Sequence, residues 1–126
     1  MQIEDHYEND FAELWIDNGI LFYKYKPYPI INLDLAKQIV ADRLKIQGDI
    51  IYPVFCDTRE IINTEQDARD YLATKGTILC TAIAFLVESG YSLELVNFYI
   101  KTSKPCVPVH IFTQRQKALD YLKDFK

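Results

Sequence analysis

Cys56, Asp57 and His110 are the residues with the most chemical potential in this chain. Cys56 stands near the end of an apolar run and Asp57 follows it, so a Cys56–His110 pair would supply a thiolate nucleophile and its base. A cysteine on an apolar strand is equally at home as plain core. The histidines are His6 and His110, and the three cysteines, Cys56, Cys80 and Cys106, are widely spaced. Zinc demands several such ligands at short or paired spacing, so neither a metal nor a cofactor is expected. Gly19, Gly48, Gly76 and Gly90 stand alone, without the glycine-rich loops that cradle phosphates or the elbow that presents a nucleophilic serine.

A second group lies just beyond Cys56. Residues 57–60 read Asp-Thr-Arg-Glu, and residues 63–67 read Asn-Thr-Glu-Gln-Asp. The pattern predicts a strand over 50–57, a short turn and a helix opening at Thr64. Unpaired N–H groups and partial positive charge at a helix start attract hydroxyls, carboxylates and phosphates. Asp57, Thr58, Asn63, Thr64 and Glu65 are therefore candidates for an anion site. The competing structural role makes Thr64 an N-cap and Glu65 a complement to the helix dipole.

The elements that must position these residues follow from periodicity. Residues 11–16 and 20–26 flank Asp17-Asn18-Gly19, a hairpin signal, because Asn-Gly accepts the positive φ angles of a tight turn. Asn32 can cap a helix running to about Gln47, with Leu35, Ala36, Ile39, Val40 and Leu44 inward and Gly48 as the stop. Pro53 removes a ladder donor and implies an edge or a bulge in the third strand. Residues 82–87 are uniformly apolar, as in a strand buried on both faces. Residues 91–104 read as helix and 107–112 as a fifth strand. Thr113 to Gln116 forms a capping box for a last helix with Ala118, Leu119, Leu122 and Phe125 inward. The order β-β-α-β-α-β-α-β-α predicts an α/β fold with a five-stranded, mixed, mostly parallel sheet and about four helices.

At 126 residues the chain reads as one domain, residues 11–126, after an acidic lead-in over 1–10. Its 49% hydrophobic and 25% charged composition is that of a soluble globule, and a net charge of -4 argues against nucleic acid or an anionic membrane as partner. No apolar run has the length of a membrane span, and residues 1–10 do not resemble a signal peptide. Three unpaired cysteines fit reduced thiols and a cytoplasmic location.

The element order, the Phe55-Cys56-Asp57 strand end and the closing run from Pro105 to Thr113 with Lys117-Ala118-Leu119-Asp120-Tyr121-Leu122 resemble the STAS, or SpoIIAA-like, superfamily. More narrowly, they resemble uncharacterised bacterial single-domain STAS/SEC14-like proteins. That resemblance implies a non-catalytic regulatory or protein-interaction module, since relatives antagonise anti-sigma factors and are switched off by phosphorylation. Other relatives sense ligands or bind lipid. The antagonists carry Asp-Ser-Ser/Thr-Gly at the start of the helix after this strand, where this chain has Asn63-Thr64-Glu65-Gln66. Glu65 then falls at the phosphorylated position and Gln66 replaces the glycine, which leaves Thr58 and Thr64 as candidate hydroxyls. Glu65 would supply fixed negative charge in place of phosphate.

The helix over 91–104 carries more apolar surface than one sheet can cover. Its apolar residues spread over an arc of roughly 220°, against the stripe of about 100° or a little more that packing needs. Tyr91, Leu95 and Phe98 form the excess. They predict intramolecular burial, a homodimer or other protein partner, or contact with a small apolar ligand. Three functions follow: a STAS-type interaction module, a binder of a small hydrophobic ligand or lipid, or an enzyme using Cys56, Asp57 or His110.

Overall fold

Asn18 and Gly19 adopt φ angles of 51° and 77° and turn β2 (Ala12–Asp17) tightly into β3 (Ile20–Tyr25), with Asp17 opposite Ile20. The structure is a computed structural model describing residues 6–126. The lead-in expected over 1–10 falls partly outside those residues. Within them, β1 (His6–Glu8) pairs antiparallel with β2, so the sheet has six strands and not five. His6–Glu13 and Lys26–Glu8 contacts fasten this polar edge strand, and charge is what a sheet edge needs to discourage further pairing.

The remaining strands, β4 (Tyr52–Asp57), β5 (Cys80–Leu86) and β6 (Val109–Phe112), add in parallel to β3 in chain order. Their connections run through α1 (Leu33–Gln47), α2 (Gln66–Thr74) and α3 (Tyr91–Ser103). Successive crossovers of one hand, marching across a sheet in one direction, deposit their helices on one face. Core residues Ala36, Ile39, Ala68 and Val96 accordingly pack with Leu21, Val54, Ile83 and Phe85. The last helix, α4 (Arg115–Leu122), follows β6 and folds onto the other face, where Ala118 and Leu122 meet Ile20, Phe22, Phe55, Ala82 and Ala84.

Most expected elements form, and the departures have local causes. Pro53 lies in a central strand, and of the edge or bulge expected there it is the bulge that forms. The pairing steps from Tyr52–Cys80 to Val54–Ile83, so an extra residue on β5 absorbs the missing donor. Asn32 caps α1 through Leu35 N–H at 2.9 Å. α2 starts at Gln66 and not at Thr64, because a parallel bridge between Ile31 and Thr64 holds that residue extended. α4 begins after Gln114 with no side-chain cap, so the Thr113 capping box is not formed. Residues 82–87 are buried throughout, at 0–7% exposure.

Candidate functional site

Alternation along the strands sorts the chemistry-bearing residues onto two faces. Cys56 lies beside Phe85 and faces α1–α3, whereas His110 pairs with Ala84 and faces α4. His110 is exposed and packs on Phe112 and Tyr121, with ring centroids 5.3 and 5.4 Å away. The two residues therefore cannot form a nucleophile–base pair. Burial, reinforced by the neighbouring Asp57 charge, pushes the Cys56 thiol far above its ordinary range, so it stays protonated and inert.

Asp57 and Thr58 are also separated by the alternation. Asp57 faces α4, where its carboxylate accepts from Arg59 N–H, Nε and Nη2 at 3.1, 3.0 and 2.9 Å. It borders a hollow of about 160 Å³ floored by Trp15, Phe22 and Phe55. Arg115 covers the Phe22 and Phe55 rings at 5.4 and 5.5 Å. Thr58 is buried and turns the other way, its hydroxyl donating to Leu86 C=O at 2.8 Å. Asn63 accepts from Thr64 N–H at 2.9 Å, and Glu65 is exposed at the N-cap position of α2 with no side-chain capping bond.

Thr58 and Thr64 meet instead at a cavity of about 90 Å³ between the sheet and α1–α3. Its walls are largely apolar, among them Ile31, Ile39, Val54, Ile83, Leu95 and Val96. Besides Thr58 and Thr64, the tyrosines Tyr23, Tyr25 and Tyr99 and the arginines Arg43 and Arg69 interrupt them. Tyr23 is 4% exposed and its hydroxyl has no hydrogen-bond partner. Burial raises its pKa well above the ordinary tyrosine value, so it remains a proton donor. Arg69 has a buried Nε, likewise without a partner. Its Nη1 donates to Thr64 C=O at 2.8 Å and to Thr64 Oγ1 at 3.0 Å, and its guanidinium lies 5.1 Å from the Phe98 ring. Arg43, 4% exposed, donates to Gln47 and to Gly76 C=O, the latter at 3.0 Å.

Neither Arg43 nor Arg69 forms an ion pair among the described residues. For Arg43, which is buried, that is unusual, because buried arginines are nearly always paired and an uncompensated charge in a dry interior is costly. Sequence reasoning missed Tyr23, Arg43 and Arg69. Arg43 carried a readable signal, since it continues the stripe of Ala36, Ile39 and Val40 at helical spacing. An arginine on a buried stripe demands an explanation.

On the outside of this region, Tyr91 and Phe98 are 55% and 50% exposed and Leu95 is half-buried. The Tyr91 hydroxyl donates to Ile62 C=O, and Ile62 is itself exposed. Among the described residues no group of His, Cys, Asp and Glu could hold a metal, and no helix is long and apolar enough to cross a membrane.

A six-stranded mixed sheet with three helices on one face and one on the other is a SpoIIAA-like architecture. An uncharacterized protein from the DUF3478 family of Shewanella loihica PV-4, described as having a SpoIIAA-like fold, superposes with a TM-score of 0.61 over 92% of this chain and 98% of its own, at 14% identity. The chain itself belongs to the family described as a domain of unknown function, DUF7793, which it matches over residues 14–126. No curated protein matches it.

Proposed function

We propose that this protein is a non-catalytic regulatory module of STAS type that couples a small ligand, held between the sheet and α1–α3, to a protein-interaction surface on residues 61–65 and α3. The observation that carries the reading is the position of Arg69. One side chain points an unpartnered Nε into the interior, grips Thr64 through Nη1 and lies against Phe98 on the outside. A ligand that engaged Nε would bias how Arg69 holds both, and such differential contact is what a switch requires.

The opposite facing of Cys56 and His110 and the pairing of Asp57 with Arg59 support the same reading. Thr58 and Thr64 both use their hydroxyls in internal hydrogen bonds, and Glu65 supplies a fixed charge at the start of α2. The switch input is therefore the cavity and not a phosphorylated side chain. Protein from its own host should carry no phosphate at Thr58 or Thr64 by mass spectrometry, and stoichiometric phosphothreonine at either would contradict this. On the output side, Ile62, Tyr91 and Phe98 form the exposed apolar set, and a second copy of the chain is the simplest partner.

The test is hydrogen exchange on Arg69→Met. If Arg69 links interior to surface, amides of both residues 61–65 and α3 should exchange faster than in the wild type. Unchanged exchange in both segments would remove the coupling.

A further inference from the structure

The polar groups of the cavity specify the charge of what it binds. Two guanidiniums, from Arg43 and Arg69, line one small apolar space without a carboxylate partner among the described residues, and the Tyr23 hydroxyl there has no acceptor. All three are donors, and two are permanently charged. An apolar or cationic occupant would leave the Tyr23 O–H and Arg69 Nε–H without an acceptor and add nothing against the charge. We propose that this cavity is a binding site for a small organic carboxylate with a short aliphatic tail.

Size narrows the class. A cavity of about 150 Å³ accepts benzene, and one water takes about 30 Å³ of liquid volume, so the space here suits a molecule with no more heavy atoms than benzene. Its volume of about 90 Å³ is too small to enclose a lipid acyl chain. The carboxylate head satisfies the Tyr23 hydroxyl and Arg69 Nε, while Val54, Ile83 and Val96 receive the tail. The inference rests on the ligand-responsive reading above and gives its input a chemical identity.

The probe is sodium butyrate, compared with butyramide, n-butylammonium and hexadecanoate by titration calorimetry and amide chemical-shift mapping of the full chain. Butyrate should bind and shift the amides of Tyr23, Val54, Ile83 and Val96. Butyramide should bind at least about tenfold more weakly, because a hydrogen bond to a charged group outweighs a neutral one by about that factor. Tyr23→Phe should weaken butyrate several-fold, and Arg69→Met should remove the preference of butyrate over butyramide. Arg43→Gln is a further variant, and Tyr23→Phe, which deletes one oxygen, keeps the test alive if that variant does not fold. Equal binding of butyrate and butyramide would overturn the anion site. Stronger binding by hexadecanoate would overturn the size limit, and no binding by any probe would make the cavity a packing void. If butyrate binds as expected but exchange in residues 61–65 is unaffected, the site stands and the coupling through Arg69 falls.

Discussion

The two faces of the sheet satisfy their charged and polar groups in opposite ways. On the α4 face, Arg59 is paired with Asp57 and Arg115 lies across the rings of Phe22 and Phe55. On the face covered by three helices, Arg43 and Arg69 reach inward without an anion and Tyr23 has no acceptor. One side is closed chemically and the other is open. Better coverage by helices thus coincides with poorer polar satisfaction, the reverse of what stability alone would select. Proteins tolerate such costs where function needs them.

The comparison can be broken first on its closed side. Leu122 is fully buried on α4, the α-helix that covers its face. Leu122→Ala should cost about 3 kcal/mol, as large-to-small core changes do, measured by urea denaturation. A loss below about 1 kcal/mol would mean that α4 contributes little and the faces are not comparable.

The open side should respond less in stability and more in motion. Arg69→Met removes two donations to Thr64. Opening of residues 61–65 should become easier by about 1–2 kcal/mol in hydrogen exchange, while global stability changes less.

Alkaline pH sharpens the contrast. Tyr23 and Tyr25 sit on the three-helix face, and burial raises both pKa values well above 10.0. Below the ordinary tyrosine value both folded and unfolded chains keep these protons, and the stabilisation is intact. Above it the unfolded chain releases protons that the folded chain holds, so stability should fall as pH rises beyond about 10. Tyr23→Phe should flatten that decline in pH-dependent urea melts. An identical slope would mean that Tyr23 ionises normally in the folded protein.

Self-association should be the weakest effect. Tyr91 and Phe98 are half exposed, so Tyr91→Ser with Phe98→Lys should leave the fold intact. Light scattering should show any wild-type dimer dissociating in this variant. A variant that stays dimeric places the interface elsewhere.

Much of the fold was legible because its signals are local. Asn18-Gly19, the Asn32 cap and the uninterrupted apolar run over 82–87 each state their structure within a few residues. The sixth strand was not legible, since His6–Glu8 is short and polar and exists only by pairing with β2. The start of α2 was misplaced because Ile31, far off in sequence, holds Thr64 in a bridge. The same limit hid the site. Attention to residues 57–65 located one wall of the cavity, but Tyr23, Arg43 and Arg69 come from three separate elements. Arg43 alone is marked in the sequence, by its place on a buried stripe; Tyr23 and Arg69 are marked by missing partners, which are visible only in three dimensions.

The central claim is that these groups are left open for a ligand, and the stability of Tyr23→Phe with and without butyrate tests it most directly. Removing a buried hydroxyl that has no partner should stabilise the ligand-free protein by about 1 kcal/mol in urea denaturation, since its desolvation cost disappears. Saturating butyrate should then stabilise the wild type more than the variant, because ligand affinity adds to folding stability. A ligand-free variant that is less stable than wild type, with butyrate stabilising both proteins equally or neither, would show that the hydroxyl serves the fold and that the cavity has no anion to receive.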